Sequence, residues 1–208
     1  MTDVARTPRL RGRPRSQEVD AAVLAAALDL LIERGASETS IEQVAQRAGV
    51  TRATVYRRFT DKTALLIQAI ESVHQNHDPD TLEWPDLEHM LDNWATYLSN
   101  PRNRRMLRRL YGAVDDYPEL LQAYRNAHGG RRAEATRDAL RRSCDQGRLP
   151  RVTDVRVLQE MLNGAVLHHL GAYPDTLGAP MIKDFFVAIL RQTGYAPPGS
   201  TAETARPA

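Results

Sequence analysis

Residues 51–58 combine arginine, threonine and tyrosine side chains that can donate hydrogen bonds to an anionic polymer. Val55 and Phe59 are apolar and are expected to face inward on a short helix, so the polar side chains between them face outward. An arginine near the N-terminus of such a helix, Arg52, can donate two hydrogen bonds to O6 and N7 of guanine in the major groove of DNA. Tyr56 can donate its hydroxyl to a phosphate.

Two short helices are expected to position these side chains. Thr39 is followed three residues later by Glu42, which predicts a capping box at the start of the first helix. That helix ends at Gly49, and Thr51 caps the second helix. Ala45 supplies a small residue where two helices can cross closely, and the glycine permits a turn with positive φ. The spacing therefore predicts a DNA-binding helix-turn-helix.

A wider pattern surrounds this motif, with a preceding amphipathic helix expected at 17–34. Residues 19–66 resemble the DNA-binding domain of the TetR family of transcriptional regulators. The residues that carry the resemblance are Ala26-Ala27, Leu30-Leu31, Gly35, Thr39-Ser40-Ile41, Val44-Ala45, Ala48-Gly49-Val50, Thr54-Val55-Tyr56, Phe59, Lys62 and Leu65. The chain departs from the family pattern at Ala53, where a glycine is common, and at Thr63, where an acidic residue is common. The resemblance implies a three-helix head, a connecting fourth helix and a helical C-terminal domain that dimerises and often binds a small ligand.

The predicted DNA-contacting residues combine the outer positions of the second helix with those that the resemblance implies. They are Thr39, Ser40, Thr51, Arg52, Ala53, Thr54, Tyr56, Arg57 and Lys62. Lys62 is expected in the first turn of the next helix, where its charge and the free N–H groups can meet a phosphate. For Arg58, a DNA contact and an ordinary surface position stay open as alternatives.

A basic arm precedes the head. Residues 1–15 contain five arginines and one aspartate, although the whole chain has a net charge of only +2. The last three of these arginines are Arg11, Arg13 and Arg15. They resemble arms that lie in a narrow minor groove, where the negative potential attracts arginine, and Pro14 is expected to keep the segment extended. A solvated, disordered tail is the alternative.

The rest of the chain repeats apolar residues every three or four positions between prolines and glycines, and no stretch alternates as a half-buried strand would. This pattern predicts an all-α chain of about nine helices, the last two at about 154–172 and 179–193. Gly129-Gly130 is expected to break or kink the long helix that starts near Pro118. The predicted segments are a disordered basic arm at 1–15, a DNA-binding domain at 16–62, a ligand-binding and dimerisation domain at 63–195 and a flexible tail at 196–208.

The last two predicted helices carry apolar stripes that are broader than the flank of one domain needs. Either they are fully buried core helices, or they form a hairpin that pairs with its symmetry mate, and the resemblance favours the pairing. The predicted dimer-interface residues are Leu158, Leu162, Ala165, His169, Phe185 and Ile189. A homodimer would place two heads on the half-sites of a palindromic double-stranded DNA operator.

The segment 84–124 is rich in tryptophan and tyrosine, which provide apolar walls with polar tips and suit a pocket of about a few hundred Å³. The predicted ligand-binding residues are Trp94, Tyr97, Tyr111 and Tyr124, although residues at helical spacing are also expected in a core. We expect an apolar or aromatic effector, because the arginines at 102–109 are interpreted as a solvated face. An anion at Arg105 or Arg109 stays open.

Other chemistry has less support. Cys144 is the one cysteine, which excludes an internal disulfide and a cysteine-based zinc site. His74 and His77 have a spacing that can bind zinc, but solvent-exposed histidines are the more common case, so we predict no metal. No Ser/His/Asp grouping, phosphate loop or carboxylate pair stands out, so we predict neither an enzyme nor a cofactor.

The longest uninterrupted apolar run, at residues 21–28, is too short to cross a bilayer, and the basic start lacks the apolar stretch of a signal peptide. We therefore expect a cytoplasmic protein without a membrane partner. The function that the sequence predicts is a ligand-responsive transcriptional regulator, favoured as a repressor that a small molecule releases from its operator. An architectural DNA-binding protein without a sensor and a helical enzyme with a DNA-binding appendage are the alternatives.

Overall fold

The computed structural model describes residues 13–72 and 83–198, except for the side chains of residues 13–16 and 128–129. Its nine helices in these ranges are α1 (Arg13–Arg34), α2 (Ile41–Arg47), α3 (Arg52–Tyr56), α4 (Lys62–Ser72), α5 (Leu87–Ser99), α6 (Pro101–Gly112), α7 (Pro118–Asp145), α8 (Val155–Ala172) and α9 (Ala179–Gln192). No strand occurs in the described ranges, which confirms the predicted all-α class. The last two helices begin and end within about one residue of the predicted positions.

Short polar residues begin several of these helices, as expected for groups that satisfy the first free N–H groups of a helix. Asp86 accepts a hydrogen bond from the His89 N–H at the start of α5. Asn100 caps α6 directly before a proline at the first helical position. Asp154 accepts from two backbone N–H groups at the start of α8. The helix boundaries therefore follow from local chemistry.

Two apolar cores lie along the chain. The head core is built by α1–α4 and contains the fully buried side chains of Leu30, Leu31, Val44, Val55, Leu65 and Leu66. The body core is built mainly by α5, α8 and α9 and contains those of Leu87, Met90, Leu91, Leu162, Ile182 and Phe186. Helix α6 contributes to both, because Met106 and Leu110 join the head core while Leu107 joins the body core. This helix therefore connects the two halves of the molecule.

Arginines on α6 are mostly bound within the protein, so the expectation of a solvated face is wrong for this helix. Arg104 is only 1% exposed, and its guanidinium donates to Asp175 at 2.7 Å and to Nδ1 of His169 at 2.8 Å. Arg108 donates twice to the same aspartate, at 2.8 and 2.6 Å. Arg105 of the same helix is exposed and has no hydrogen-bond or ion-pair partner among the described residues. The cluster ties α6 to the α8–α9 connection.

Two local expectations also change. Helix α7 runs through Gly129-Gly130 over 28 residues, so the predicted break is absent. Helix α1 begins at Arg13, which places Pro14 in its first turn instead of in an extended arm. Proline is favoured in the first turn of a helix, because the backbone N–H that proline lacks would have no intrahelical partner there. Arg11, His74 and His77 lie outside the described residues.

The end of the described chain is attached to the body. Tyr195 is buried, and its hydroxyl donates to Glu88 at the start of α5. The N–H of Ala196 donates to the carbonyl of Arg148 at 2.9 Å. Gly194, directly before Tyr195, lies against Pro150 and has a φ of +85°, a conformation that favours glycine.

The buried arginine cluster predicts a pH-dependent stability. The guanidinium groups of Arg108 and Arg104 hold the pKa of Asp175 well below its usual range, so the carboxylate stabilises the fold above about pH 4 and this contribution is lost as the pH falls below that value. Asp175→Asn should lower the free energy of unfolding by about 2–3 kcal/mol at neutral pH, because Arg104 loses its buried counter-charge. Urea unfolding should show a smaller difference from wild type at about pH 3. Asp138→Asn, which removes an exposed pair with Arg141, is the control; equal losses in both variants would contradict the prediction.

Candidate DNA-binding surface and ligand cavity

Helix α2 begins one residue later than predicted. Ser40 is its N-cap, with its hydroxyl accepting from the Gln43 N–H at 3.3 Å and its own N–H donating to the Gln43 side chain at 3.0 Å. The capping box is therefore Ser40–Gln43 and not Thr39–Glu42. Thr39 is 2% exposed and donates its hydroxyl to the Gly35 carbonyl at 2.7 Å. The side chain stabilises the turn after α1, and the DNA contact of Thr39 stays a prediction.

Helix α3 presents the predicted outer face. Thr51 caps it by accepting from the Thr54 N–H at 3.2 Å, and the two hydroxyls lie 3.0 Å apart. Val55 is fully buried and Phe59 nearly so, which fixes the rotation of the helix against the head core. Gly49 in the preceding turn has a φ of +67°, as the helix-turn-helix spacing predicted. The exposed side chains of this segment are Thr51, Arg52, Ala53, Tyr56 and Arg57.

Arg52 is held at the surface by two neighbours. Its guanidinium lies 2.7 Å from the Glu42 carboxylate and 6.0 Å from the centroid of the Tyr56 ring. The side chains of Arg52 and Glu42 are 57% and 53% exposed, so the pair contributes little stability. Arg52 can therefore exchange this partner for another acceptor at low cost.

Arg58 and Lys62 both bind groups within the chain. Arg58 is half-buried. It pairs with Asp20 of α1 and donates to the Thr54 carbonyl, so it connects α3 to α1. The ammonium of Lys62 donates to the Ala36 carbonyl at 2.9 Å and to the Tyr117 hydroxyl at 3.1 Å. The charged group turns toward the body, and the phosphate contact of Lys62 stays a prediction.

Helix α6 also holds the C-terminus of α1. Arg109 donates to the carbonyls of Glu33 at 2.9 Å and Ile32 at 3.4 Å, which are among the last carbonyls of that helix and have no intrahelical partner. A cation at this end also interacts favourably with the helix dipole. Arg102 pairs with Asp29 one turn earlier. Gly35, with a φ of +90°, lets the chain turn directly beside the Arg109 side chain.

A cavity of about 160 Å³ lies in the body. It is lined by Trp94, Tyr97, Leu98, Leu107, Tyr111, Tyr124, Arg125, Arg132, Asn163 and Val166. The four predicted ligand-binding residues are thus brought together around one space by α5, α6 and α7. The cavity is smaller than expected and is close to the size of an engineered cavity of about 150 Å³ that binds benzene.

Polar groups around this cavity include two tyrosine hydroxyls and one indole N–H. The hydroxyls of Tyr97 and Tyr124 lie 3.4 Å apart, and burial raises the pKa of both phenols, so both stay protonated at neutral pH. The indole N–H of Trp94 is buried without a partner in the described part of the chain.

The sequence prediction missed Arg125 and Arg132. They lie two turns apart on α7 next to Tyr124, and this spacing was the available signal. Arg105 and Arg109, which were left open for an anion, do not line the cavity.

Three predicted dimer-interface residues are core residues. Leu158, Leu162 and His169 are buried within the single chain, and their assignment to an interface stays a prediction. Ala165, Phe185 and Ile189 are half-buried. The exposed large apolar side chains of these two helices are instead Val157, Met161, Leu167 and Met181. Periodicity identified an apolar stripe, but one edge of it fills the core and the other faces outward.

Within residues 13–72 and 83–198, no group of three or more His, Cys, Asp or Glu side chains is placed to hold a metal ion. No helix in the same ranges is both long enough and apolar enough to cross a membrane.

Comparison with known families covers most of the chain. Residues 23–69 match the model for bacterial regulatory proteins of the tetR family, and residues 78–187 match the tetracyclin repressor-like C-terminal domain. YdeS of Bacillus subtilis, an uncharacterised HTH-type transcriptional regulator, is 26% identical over 180 residues, which cover 84% of this chain and 89% of YdeS. TtgR of Pseudomonas putida, an HTH-type transcriptional regulator, is 34% identical over 68 residues, which cover 33% of this chain and 32% of TtgR.

Among solved structures, NalD of Pseudomonas aeruginosa has a similar fold. It is described as the secondary repressor of the MexAB-OprM multidrug efflux pump. The TM-score is 0.61 at 23% identity, and the match covers 85% of this chain and 96% of NalD. The likeness confirms a helix-turn-helix head joined to a helical C-terminal domain.

The contacts of Lys62 predict a structural role. Lys62→Met and Tyr117→Phe should each lower the free energy of unfolding, and a double-mutant cycle should give a coupling of about 0.5–1 kcal/mol, because the two groups share one hydrogen bond. Lys183→Met, which removes an ion pair with Asp92, should show no coupling to Tyr117→Phe. Additive effects of Lys62→Met and Tyr117→Phe in urea unfolding would contradict this role.

Proposed function

Because this chain belongs to the tetR family of bacterial regulatory proteins, we propose that it is a cytoplasmic, homodimeric repressor that a small aromatic molecule releases from operator DNA. The observation that carries the proposal is the double attachment of α6. Its Leu107 and Tyr111 side chains line the cavity, while its Arg102 and Arg109 side chains hold α1 of the head. A change at the cavity wall therefore has a direct physical route to the DNA-binding surface.

On the DNA side, α3 is proposed to enter the major groove. Arg52 exchanges the Glu42 carboxylate for the edge of a guanine, and Tyr56, which is 49% exposed, donates its hydroxyl to a phosphate. Ser40 and Thr51 stand at the starts of α2 and α3, where free N–H groups favour phosphate. The arginines at the start of α1, Arg13 and Arg15, and the preceding Arg11 are proposed to reach the adjacent minor groove.

A dimer is proposed because a five-residue helix offers few contacts with DNA. Two heads would bind half-sites about 34–36 Å apart, or a multiple of this distance, on a palindromic operator. The proposed interface is the outer face of α8 and α9, where Val157, Met161, Leu167 and Met181 are exposed. Exposed apolar side chains grouped on neighbouring helices are typical of such interfaces.

The ligand acts by favouring one position of α6. When a ligand occupies the cavity, its contacts with Leu107 and Tyr111 displace the helix, and the hydrogen bonds from Arg109 carry the displacement to the end of α1. The separation of the two heads then no longer matches the operator. A ligand can act only through different affinities for the two states, and a coupling of about 1–3 kcal/mol is expected.

Arg52→Ala should weaken binding to an operator selected from random DNA by about 1–3 kcal/mol per half-site and relax specificity at one base pair. Tyr56→Phe should weaken binding to all sequences alike, because its partner is a phosphate. Fluorescence anisotropy titrations measure both effects. Arg141→Ala, an exposed arginine of the body, is the control; unchanged affinity in both head variants would refute the assignment.

Met161→Glu should convert the dimer to a monomer without unfolding it, because this side chain is 50% exposed in the single chain. Sedimentation velocity at micromolar concentration measures the state, and circular dichroism confirms the helical content. Val152→Glu places the same charge at a 94% exposed residue between α7 and α8 and should leave the dimer intact. A wild-type monomer with full operator affinity would contradict the proposed assembly.

A screen of monocyclic aromatic compounds should find ligands that weaken operator binding by about 5–150-fold, the usual range of such coupling. Tryptophan fluorescence can report occupancy, because Trp94 lines the cavity and the Arg132 side chain at the cavity wall lies over Trp84. Val166→Trp, which fills the cavity from α8, should bind none of them. If no compound binds or releases the operator, the protein is a regulator without a sensor.

A further inference from the structure

The charges around the cavity are all of one sign. Arg125 and Arg132 are the ionisable cations of its lining, and no aspartate or glutamate is among the lining residues. The two phenols, Tyr97 and Tyr124, stay neutral because burial raises the pKa of each. Among the described residues, the cavity wall therefore carries positive charge without a counter-charge.

Arg132 is fixed in position by neutral groups. Its guanidinium lies 5.5 Å from the ring centroid of Tyr97 and 5.7 Å from that of Trp84. One of its N–H groups donates to the Asn93 side chain at 2.6 Å. A guanidinium has five N–H donors, so most of the donors of Arg132 are available to another acceptor. Tyr97 also forms part of the cavity wall, which places the guanidinium beside the ligand space.

Three other arginines of the body have acidic partners, one of them buried and two half-buried. Arg104 and Arg108 share Asp175, and Arg148 pairs with Glu88. Among the described residues, Arg132 has no carboxylate within ion-pair distance. A half-buried charge held between two rings without a counter-charge is preorganised for an anion that arrives from outside the chain.

The remaining walls restrict the rest of the ligand. Leu98, Leu107 and Val166 are apolar, and Trp94 and Tyr111 add aromatic surface. The volume of about 160 Å³ accommodates one aromatic ring. A planar guanidinium matches the two oxygens of a carboxylate, and the neighbouring phenols can donate to the same group.

We propose that the cavity selects monocyclic aromatic carboxylates, with the ring between the aromatic and aliphatic walls and the carboxylate on Arg132. This inference rests on the proposed function of the cavity as the sensor site. It adds a carboxylate to the expected aromatic effector, and it assigns the charge selectivity to one side chain on α7.

A charge series with one ring size tests the inference. Phenylacetate, phenylacetamide and 2-phenylethylamine are titrated into the full-length protein by isothermal titration calorimetry. Wild type should bind phenylacetate at least about tenfold more tightly than phenylacetamide, because a hydrogen bond to a charged group replaces a neutral one. Arg132→Gln should abolish this preference and retain phenylacetamide binding. Arg132→Lys should restore part of it, because it keeps the charge without the planar fork.

Arg141→Gln on the same helix, nine residues from Arg132 and paired with Asp138, should keep the full preference. Thermal unfolding checks that each variant is folded. Equal affinities of wild type for phenylacetate and phenylacetamide, or tighter binding of the amine, would overturn the inference while leaving a sensor for uncharged or cationic ligands. A preference that survives Arg132→Gln would also overturn it. Absence of binding by all three compounds and by every aromatic compound of the screen would instead overturn the proposed sensor.

Discussion

The last carbonyl groups of α1 have no partner within their own helix, and Arg109 of α6 supplies the donors that they need. The orientation of the DNA-binding head is therefore set by a helix of the other domain. Met106 and Leu110 of α6 enter the head core, while Leu107 enters the body core and lines the cavity. A helix buried on two sides cannot shift at one side without repacking the other. This constraint makes the cavity and the head parts of one mechanical unit.

The arginines of this chain divide according to their partners. Arg104, Arg108 and Arg109 of α6 bind carbonyls or Asp175 and therefore hold elements together. Within the described residues, Arg52 pairs with an exposed carboxylate, which it can exchange for a base, and Arg132 has neutral partners. Arginine thus connects helices at some positions, and at others it is a candidate for base recognition or anion binding. Its burial and the presence of a counter-charge determine which role it has. Composition gives the number of arginines and not this division.

The head could be predicted closely because its signals are local. Thr51, Val55 and Gly49 lie within seven residues of one another and define the turn and the second helix. The capping box was placed one residue early, since Thr39 and Ser40 both fit the pattern and only packing buries the first. The burial of Arg104 could not be predicted, because its partner Asp175 is 71 residues away in the sequence. The burial of one side of α8 could not be predicted for a related reason. Periodicity identifies an apolar stripe, but the neighbouring helices determine which of its side chains are buried.

We propose that ligand and operator compete through the position of α6, and thermodynamic linkage between the two sites tests this competition. The affinity of phenylacetate is measured for the free protein and for the protein saturated with its operator. If the two sites are coupled, the operator complex binds phenylacetate more weakly, by the same factor by which phenylacetate weakens operator binding. Equal affinities of phenylacetate for the free protein and for the operator complex would contradict the coupling between the two sites.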